Sequence, residues 1–159
     1  MEIYILRHGV AEMRAAGKAD CDRALTPKGR EKLRRVLERA RAAGVKPSLI
    51  VTSPYRRAVE SAETAAEVLG YRGRIVHSKT LEPDSTARAV WQELRAHAGE
   101  AAVLVSGHEP LLGELFSFLL GATWSLVDLK KGALARIDVE RMAAEPRGRL
   151  NWLLPAKLV

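Results

Sequence analysis

The sequence contains very little cysteine and few aromatic residues. Its 159 residues include one cysteine, Cys21, and 5% aromatic residues. One thiol cannot form an internal disulfide, and Cys21 has no neighbouring ligands with which to hold a metal. We therefore expect a reduced, cytoplasmic setting and no metal site.

Long apolar runs are also missing. No stretch approaches the roughly 20 apolar residues of a membrane-spanning helix. The first strand pattern begins at Glu2 with no basic segment or cleavage site before it, so neither export nor membrane insertion is expected. No internal repeat, linker or low-complexity segment divides the chain, and its length suits one domain over residues 1–159.

Positive charge exceeds negative charge. The chain carries 26 Lys and Arg against 19 Asp and Glu, a net charge of +7, which suits an anionic substrate or a nucleic acid. Much of this charge lies between Lys28 and Arg41, in a segment whose apolar residues recur at helical spacing. The aromatic interleaving that favours single-strand binding is missing there. We interpret the segment as a solvated helix face and expect no nucleic-acid partner.

Strand and helix patterns alternate along most of the chain. We predict strands at Glu2–Leu6, Leu49–Val51, Arg74–His77 and Ala102–Val105, helices that begin at Thr26-Pro27, Ser53-Pro54, Ser85 or Thr86, and Pro110, and two final strands at Ala133–Val139 and Arg149–Leu154. This alternation indicates an α/β fold, a three-layer α/β/α arrangement around a mainly parallel sheet, with an antiparallel C-terminal edge. Trp91, Trp124 and Trp152 are expected to pack against the sheet.

Ligands of such sheets bind outside the carboxyl ends of the strands. Three segments stand at those positions: Arg7-His8-Gly9, Thr52-Ser53 and Ser106-Gly107-His108. We expect them to meet in space and form the functional site. The polar stretch Ala11–Arg23 is expected to be flexible and to line that site.

His8 has the chemistry of a nucleophile. A neutral imidazole attacks phosphorus when its other ring nitrogen is fixed as a donor, and Gly9 permits a close backbone approach. Taken by itself, His8 is equally well explained as a histidine that caps a strand.

Two further segments carry groups that bind phosphate. The helix that opens at Ser53 presents an N-terminus that favours anions, and an arginine there adds a planar fork for two phosphate oxygens. Arg56 and Arg57 cannot share one helix face, so one of them is expected in the site. His108 can bind a phosphoryl oxygen through its ring or backbone. Singly, these features also fit solvated arginines and a turn histidine satisfied by backbone.

As a set, the motifs resemble those of the histidine phosphatase superfamily, which has the phosphoglycerate mutase-like fold. The layout is most similar to the small SixA-type phosphohistidine phosphatases. The matching segments are Leu6–Gly9, Leu25–Gly29, Ser53–Ala58 and Val105–Pro110.

The resemblance implies a role for each matching residue. His8 would be transiently phosphorylated, and the transferring phosphoryl group would be held by Arg7, Arg57 and His108, without a metal or cofactor. Arg57 is implied rather than Arg56 because the family's arginine directly precedes the alanine of this segment. Four neighbours would contact the substrate: Gly9, Ser53, Gly107 and Glu109.

The identity of the general acid stays open. Larger members of the family use an acidic residue near the site, and Glu82 stands about where it would fall, although a surface-loop glutamate is the alternative. An alkoxide leaving group depends strongly on an acid. Phosphohistidine depends on it less, because imidazole leaves as a neutral group whose conjugate acid has a pKa of about 6.5.

These considerations favour a phosphohistidine on a protein as the substrate. The segment between Gly70 and Ser85 is also too short for the cap insertion that larger members place over small substrates. We therefore predict a phosphatase that acts on a phosphorylated protein. A phosphatase for small phosphate esters and a non-catalytic phosphate-binding module are the alternatives.

Overall fold

Six strands form one sheet in the computed structural model, which describes residues 1–159. The strands are β1 (Glu2–Arg7), β2 (Leu49–Thr52), β3 (Val76–His77), β4 (Ala102–Gly107), β5 (Leu134–Val139) and β6 (Gly148–Leu154), in the order β3-β2-β4-β1-β5-β6. The first four are parallel, whereas β5 and β6 are antiparallel to their neighbours. The mainly parallel sheet with an antiparallel C-terminal edge is thus confirmed.

Four helices cover the sheet, two on each face. They are α1 (Pro27–Ala42), α2 (Arg56–Leu69), α3 (Ala87–Ala96) and α4 (Leu111–Leu119). Side chains alternate across a strand, so Tyr4 and Leu6 of β1 enter the core shared with α1 and α2. Ile3 and Ile5 enter the core shared with α3 and α4. The three-layer arrangement follows from these two cores.

The two helices predicted from a cap followed by proline begin differently. For α1 the prediction is confirmed, because the Thr26 hydroxyl accepts a hydrogen bond from the Gly29 amide at 2.9 Å. For α2 it is wrong, since the helix begins at Arg56 and Tyr55 is its N-cap residue. Ser53 is fully buried in the preceding turn, where its hydroxyl contacts His108.

Two other local predictions change in the structure. β3 has only two residues and pairs only with the end of β2, so the predicted strand from Arg74 was too long. Trp91 is buried and Trp152 contacts Tyr4, but Trp124 is 69% exposed. It lies in the irregular segment after α4, which runs over the surface instead of facing the sheet. None of the helices combines the length and the apolarity that a bilayer span requires.

Candidate active site

The ends of three neighbouring parallel strands bring the candidate residues together. The His8 amide, just past β1, donates to Gly107 O of β4 at 3.1 Å, and the Ser53 amide, just past β2, donates to Ser106 O at 2.9 Å. The imidazole rings of His8 and His108 lie 5.1 Å apart between centroids. Because β4 lies between β1 and β2 in the sheet, segments far apart in sequence form one cluster.

The hydrogen bonds of His8 fix its tautomer. Nδ1 lies 2.7 Å from the carbonyl oxygen of Gly9, which can only accept, so Nδ1 carries the proton and Nε2 keeps its lone pair. Nε2 accepts a 3.3 Å hydrogen bond from Nε of Arg57. The residue His8 is 7% exposed. His8 therefore presents a nucleophilic nitrogen next to a guanidinium group.

The close contacts around Gly9 explain why a glycine occupies this position. A Cβ atom there would stand 3.1 Å from Gly29 O and 3.2 Å from a Leu25 methyl group. Its amide donates to the Ser61 hydroxyl at 3.2 Å and so already has a partner. Gly9 thus holds the loop of His8 against the start of α1.

His108 has one satisfied and one unsatisfied ring nitrogen. Its Nε2 lies 2.8 Å from Oγ of Ser53, and that oxygen accepts from the Tyr55 amide. When the Ser53 hydroxyl donates to Nε2, the proton of His108 is on Nδ1. Nδ1 is buried and has no hydrogen-bond partner. The structure thus places an unpaired ring nitrogen beside His8, and in this tautomer that nitrogen is a donor.

Burial keeps both imidazoles neutral. Desolvation is the main reason that the pKa of His8 falls to about 3. The bond to Gly9 O opposes the change, and the charges of Arg57, Arg7 and Lys131 add to it. Desolvation also lowers the pKa of His108 to about 3, with His8 and Arg57 adding to the shift. Neutral His8 is the form that can attack phosphorus.

Arg57, and not Arg56, belongs to the cluster. The residue Arg57 is 4% exposed, and its guanidinium carbon lies 5.0 Å from the centre of the Tyr55 ring. Arg56 is exposed and pairs with Glu60 at 3.0 Å, one helical turn away. The first turn of α2 therefore sends adjacent arginines to opposite environments.

Asp20 is a member of the cluster that the sequence did not reveal. Its carbonyl and carboxylate accept hydrogen bonds from Nη1 and Nη2 of Arg57, at 2.7 and 2.9 Å. Desolvation opposes ionisation of Asp20, but Arg57 and Arg23 outweigh it and lower the pKa of its carboxyl. The polar stretch expected to be flexible therefore contains an ordered turn, a short 3-10 helix over Asp20–Asp22, that holds Arg57.

Arg7 contacts the segment that leads into β5. Its Nη1 donates to Leu129 O and lies 3.6 Å from the exposed carboxylate of Asp128. Its Nε is buried without a partner. Lys131 was not among the residues predicted for the site; it lies next to Gly132, whose amide donates to the carbonyl oxygens of Arg7 and His8. Arg57 and His108 thus contact His8, and the charges of Arg7 and Lys131 act on it.

The remaining predicted residues occupy less direct positions. Gly107 ends β4, where a Cβ atom would lie 3.4 Å from Leu81 O. The Glu109 carboxylate accepts from the Leu129 amide at 2.9 Å, and so it contacts the protein itself. Glu82 is half-buried; its backbone carbonyl accepts from the Ser85 amide at 3.1 Å, whereas its carboxylate accepts no hydrogen bond. Desolvation of Tyr55 is the main cause that raises the pKa of its hydroxyl, and the charge of Glu82 is the second. The Tyr55 ring contacts His108.

Four clefts of about 390 to 740 Å³ lie away from the cluster. One of them, of about 740 Å³, runs between α3, α4 and residues 145–147. None of the four is lined by His8, Arg57 or His108. The cluster is therefore separate from these clefts.

Comparison with known proteins agrees with this arrangement. A family model described as the histidine phosphatase superfamily (branch 1) matches residues 3–83, which include β1, α1, β2 and α2. The chain belongs to this superfamily. Within it, the chain is 31% identical to the phosphohistidine phosphatase SixA of Escherichia coli K12, over 96% of this chain and 92% of that protein.

Two further comparisons cover nearly the whole chain. An uncharacterised protein of Picosynechococcus sp. is 33% identical over 98% of this chain and 100% of its own length. The solved structure of the protein histidine phosphatase SixA in complex with tungstate superposes with a TM-score of 0.89 at 26% identity, covering 99% of both chains. The phosphoglycerate mutase-like α/β fold is therefore shared along the entire chain.

Proposed function

We propose that this protein is a metal-independent phosphatase that removes phosphoryl groups from phosphohistidine on proteins, through a phosphohistidine intermediate on His8. The observation that carries the proposal is the tautomer of His8. Its Nδ1 is fixed by Gly9 O, and its Nε2 lone pair stands beside Arg57. A histidine that merely capped the strand would not need this arrangement.

The unsatisfied donors of the cluster support phosphoryl binding. Arg7 Nε and His108 Nδ1 are the two buried side-chain polar atoms without a partner, and an unsatisfied buried donor is costly. Equatorial oxygens of a transferring phosphoryl group would accept from both. Two arginines would also neutralise the charge that develops on those oxygens, which is why no metal ion enters the proposal.

In the proposed first step, His8 Nε2 forms a bond to phosphorus while the bond to the leaving imidazole breaks. The Nε–H group of Arg57 keeps its proton and changes its hydrogen-bond acceptor from His8 to a phosphoryl oxygen. Asp20 continues to accept hydrogen bonds from the other two guanidinium nitrogens. In the second step, water attacks the phosphorylated His8. The water oxygen bonds to phosphorus and both water protons leave with the released dihydrogen phosphate, while the electron pair of the P–N bond returns to Nε2 and restores neutral His8.

The acid–base character of the site favours phosphohistidine as the substrate. Asp20 is held ionised by Arg57, so it is a poor proton donor. A phosphohistidine protonated on its other nitrogen leaves as neutral imidazole and needs no proton from the enzyme. The short connection from Gly70 to Thr86 has no room for a cap domain over the cluster, which favours a phosphorylated protein surface as the substrate.

The deciding experiment compares two substrate classes with wild-type protein and His8→Ala. We expect turnover of a histidine-phosphorylated protein domain to exceed turnover of a panel of sugar and nucleotide phosphates. We also expect a radiolabelled, acid-labile phosphoenzyme that His8→Ala does not form. Full activity in His8→Ala would overturn the mechanism, and binding without a phosphoenzyme would indicate a phosphate-binding module. Activity that survives chelation with EDTA is expected.

A phosphatase for small phosphate esters is the second candidate, favoured by the position of Glu82 close to Tyr55. If Glu82 protonates an alkoxide leaving group, Glu82→Gln should strongly reduce ester hydrolysis and leave phosphohistidine turnover nearly unchanged. Faster turnover of an ester than of the phosphoprotein, together with this defect, would make the small-ester phosphatase the better description.

A further inference from the structure

Arg7 is anchored mainly by one residue of the opposite segment. Its Nη1 donates to the carbonyl oxygen of Leu129, which is 1% exposed. Its ion-pair partner is Asp128, whose side chain is 65% exposed and also pairs with Lys130. Exposed ion pairs position side chains weakly. The location of Arg7 therefore depends on where the Leu129 carbonyl is held.

Leu129 is held in turn by Glu109. Oε1 of Glu109 accepts a 2.9 Å hydrogen bond from the Leu129 amide. The peptide groups of Leu129 thus donate to Glu109 through the amide and accept from Arg7 through the carbonyl. Desolvation raises the pKa of Glu109, while bonds from Leu129 and Gly113 and the charge of Arg7 favour its ionised form.

The segment that contains Leu129 packs tightly against the first turn of α4. A Cβ atom on Gly113 would stand 2.7 Å from Val127 O and 2.8 Å from Oε2 of Glu109. Residues 127–129 therefore lie directly against the helix start that Glu109 shares with His108. Glu109 follows His108 in the chain and fixes the anchor of Arg7, so it links the two sides of the cluster.

We infer that Glu109 is a positioning residue that sets the Arg7 guanidinium in place through Leu129, so that Arg7 can bind phosphoryl oxygens. This inference rests on the proposed function, since it takes Arg7 as an oxyanion ligand. In this role Glu109 acts through Leu129 and not through the contact with the substrate that the sequence predicted.

The sign of the effect on anion binding separates this role from simple electrostatics. Removing a negative charge near an anion site strengthens anion binding when charge alone matters. Loss of positioning has the opposite effect. With tungstate as the probe in titration calorimetry, we expect Glu109→Ala to raise Kd about tenfold, and Glu109→Gln, which keeps an acceptor for the Leu129 amide, to stay within about threefold of wild type.

A double-mutant cycle shows whether the effect passes through Arg7. We expect Arg7→Met to raise the tungstate Kd by about 10- to 100-fold, and Glu109→Ala to add less than about twofold in that background, because two residues acting through one contact are not additive. Glu114, an exposed carboxylate on α4, provides the matched control, and Glu114→Gln should leave Kd unchanged.

The possible outcomes are distinguishable. Tighter or unchanged binding in Glu109→Ala, an equal loss in Glu109→Gln, or full additivity with Arg7→Met would each overturn the positioning role while leaving the proposed phosphatase intact. A tungstate Kd that Arg7→Met does not change would instead refute Arg7 as an oxyanion ligand. If Glu109→Ala fails to fold, Gly113→Ala perturbs the same connection and should show the same dependence on Arg7.

Discussion

Arg57 donates from Nε to the lone pair of His8 Nε2, at 3.3 Å. The side chain of His8 and its neighbouring cation therefore satisfy each other. Under the proposed mechanism, an incoming phosphoryl group takes the place of this hydrogen bond, and Arg57 donates to a phosphorus-bound oxygen while it stays bound to Asp20. The same contact would then prepare His8 as the nucleophile and place the charge that the transition state requires.

This contact predicts very different consequences for two adjacent arginines. Arg57→Ala should lower kcat/KM by about 10²- to 10³-fold, because a buried guanidinium next to the reacting atoms is lost. Arg56→Ala should change kcat/KM less than about twofold, since an exposed ion pair with Glu60 contributes little. Steady-state kinetics of both variants on one phosphohistidine substrate provide the measurement. Equal defects would contradict the assignment.

The hold of Asp20 on Arg57 predicts a smaller loss. Asp20→Asn keeps the backbone carbonyl that binds Nη1 but weakens the bond to Nη2. We expect kcat/KM to fall about tenfold, because Arg57 is less well oriented. Asp22→Asn is the control: Asp22 is exposed and forms no ion pair. If both variants were fully active, the 3-10 helix would have no part in positioning Arg57.

The sequence predicts best where local chemistry decides the structure. The caps at Thr26 and Thr86 and the glycine that ends α2 at Gly70 act within a turn of their own residues. The strand ends that carry His8 and His108 follow from the parallel sheet. At Ser53 the local rule fails, because its hydroxyl binds His108, a residue 55 positions away.

The parts of the site that the sequence hides depend on long-range contacts from irregular segments. Asp20 meets Arg57 across 37 residues, and Leu129 meets Arg7 across 122. Neither Asp20 nor Leu129 belongs to a periodic pattern, and one of the two contacts uses only a backbone carbonyl. Any residue can supply a carbonyl, so no residue type marks the position.

The start of α1 predicts a sharp stability contrast between two glycines. A Cβ atom on Gly29 would stand 2.2 Å from Val10 O, whereas one on Gly99 would meet nothing within 4 Å. Gly29→Ala should therefore reduce the free energy of unfolding by about 1–3 kcal/mol through overpacking. Gly99→Ala should stay within about 0.5 kcal/mol of wild type. Urea unfolding of both variants tests this, and a neutral Gly29→Ala would show that the loop after His8 can shift freely.

The lowered pKa values of His8 and His108 predict that acid destabilises the fold. Each histidine has a pKa of about 3 in the folded protein and about 6.5 when unfolded, so the unfolded chain binds more protons between these values. The free energy of unfolding therefore rises with pH across this window, by about 1.4 kcal/mol per pH unit for each proton. Above about pH 6.5 the contribution is complete, and it is lost as the pH falls towards 3.

Comparison with a variant isolates this effect from the other titrating groups. Glu109, whose pKa is raised mainly by desolvation, acts in the opposite direction, and the lowered pKa of Asp20 adds to acid loss at lower pH. His108→Gln keeps an acceptor for Ser53 and removes one titrating ring. Urea unfolding between pH 6.5 and 5 should show a slope smaller by up to about 1.4 kcal/mol per pH unit in this variant. Identical slopes would mean that His108 is protonated in the folded protein, and its Nδ1 could then not be explained as the free donor of a neutral ring.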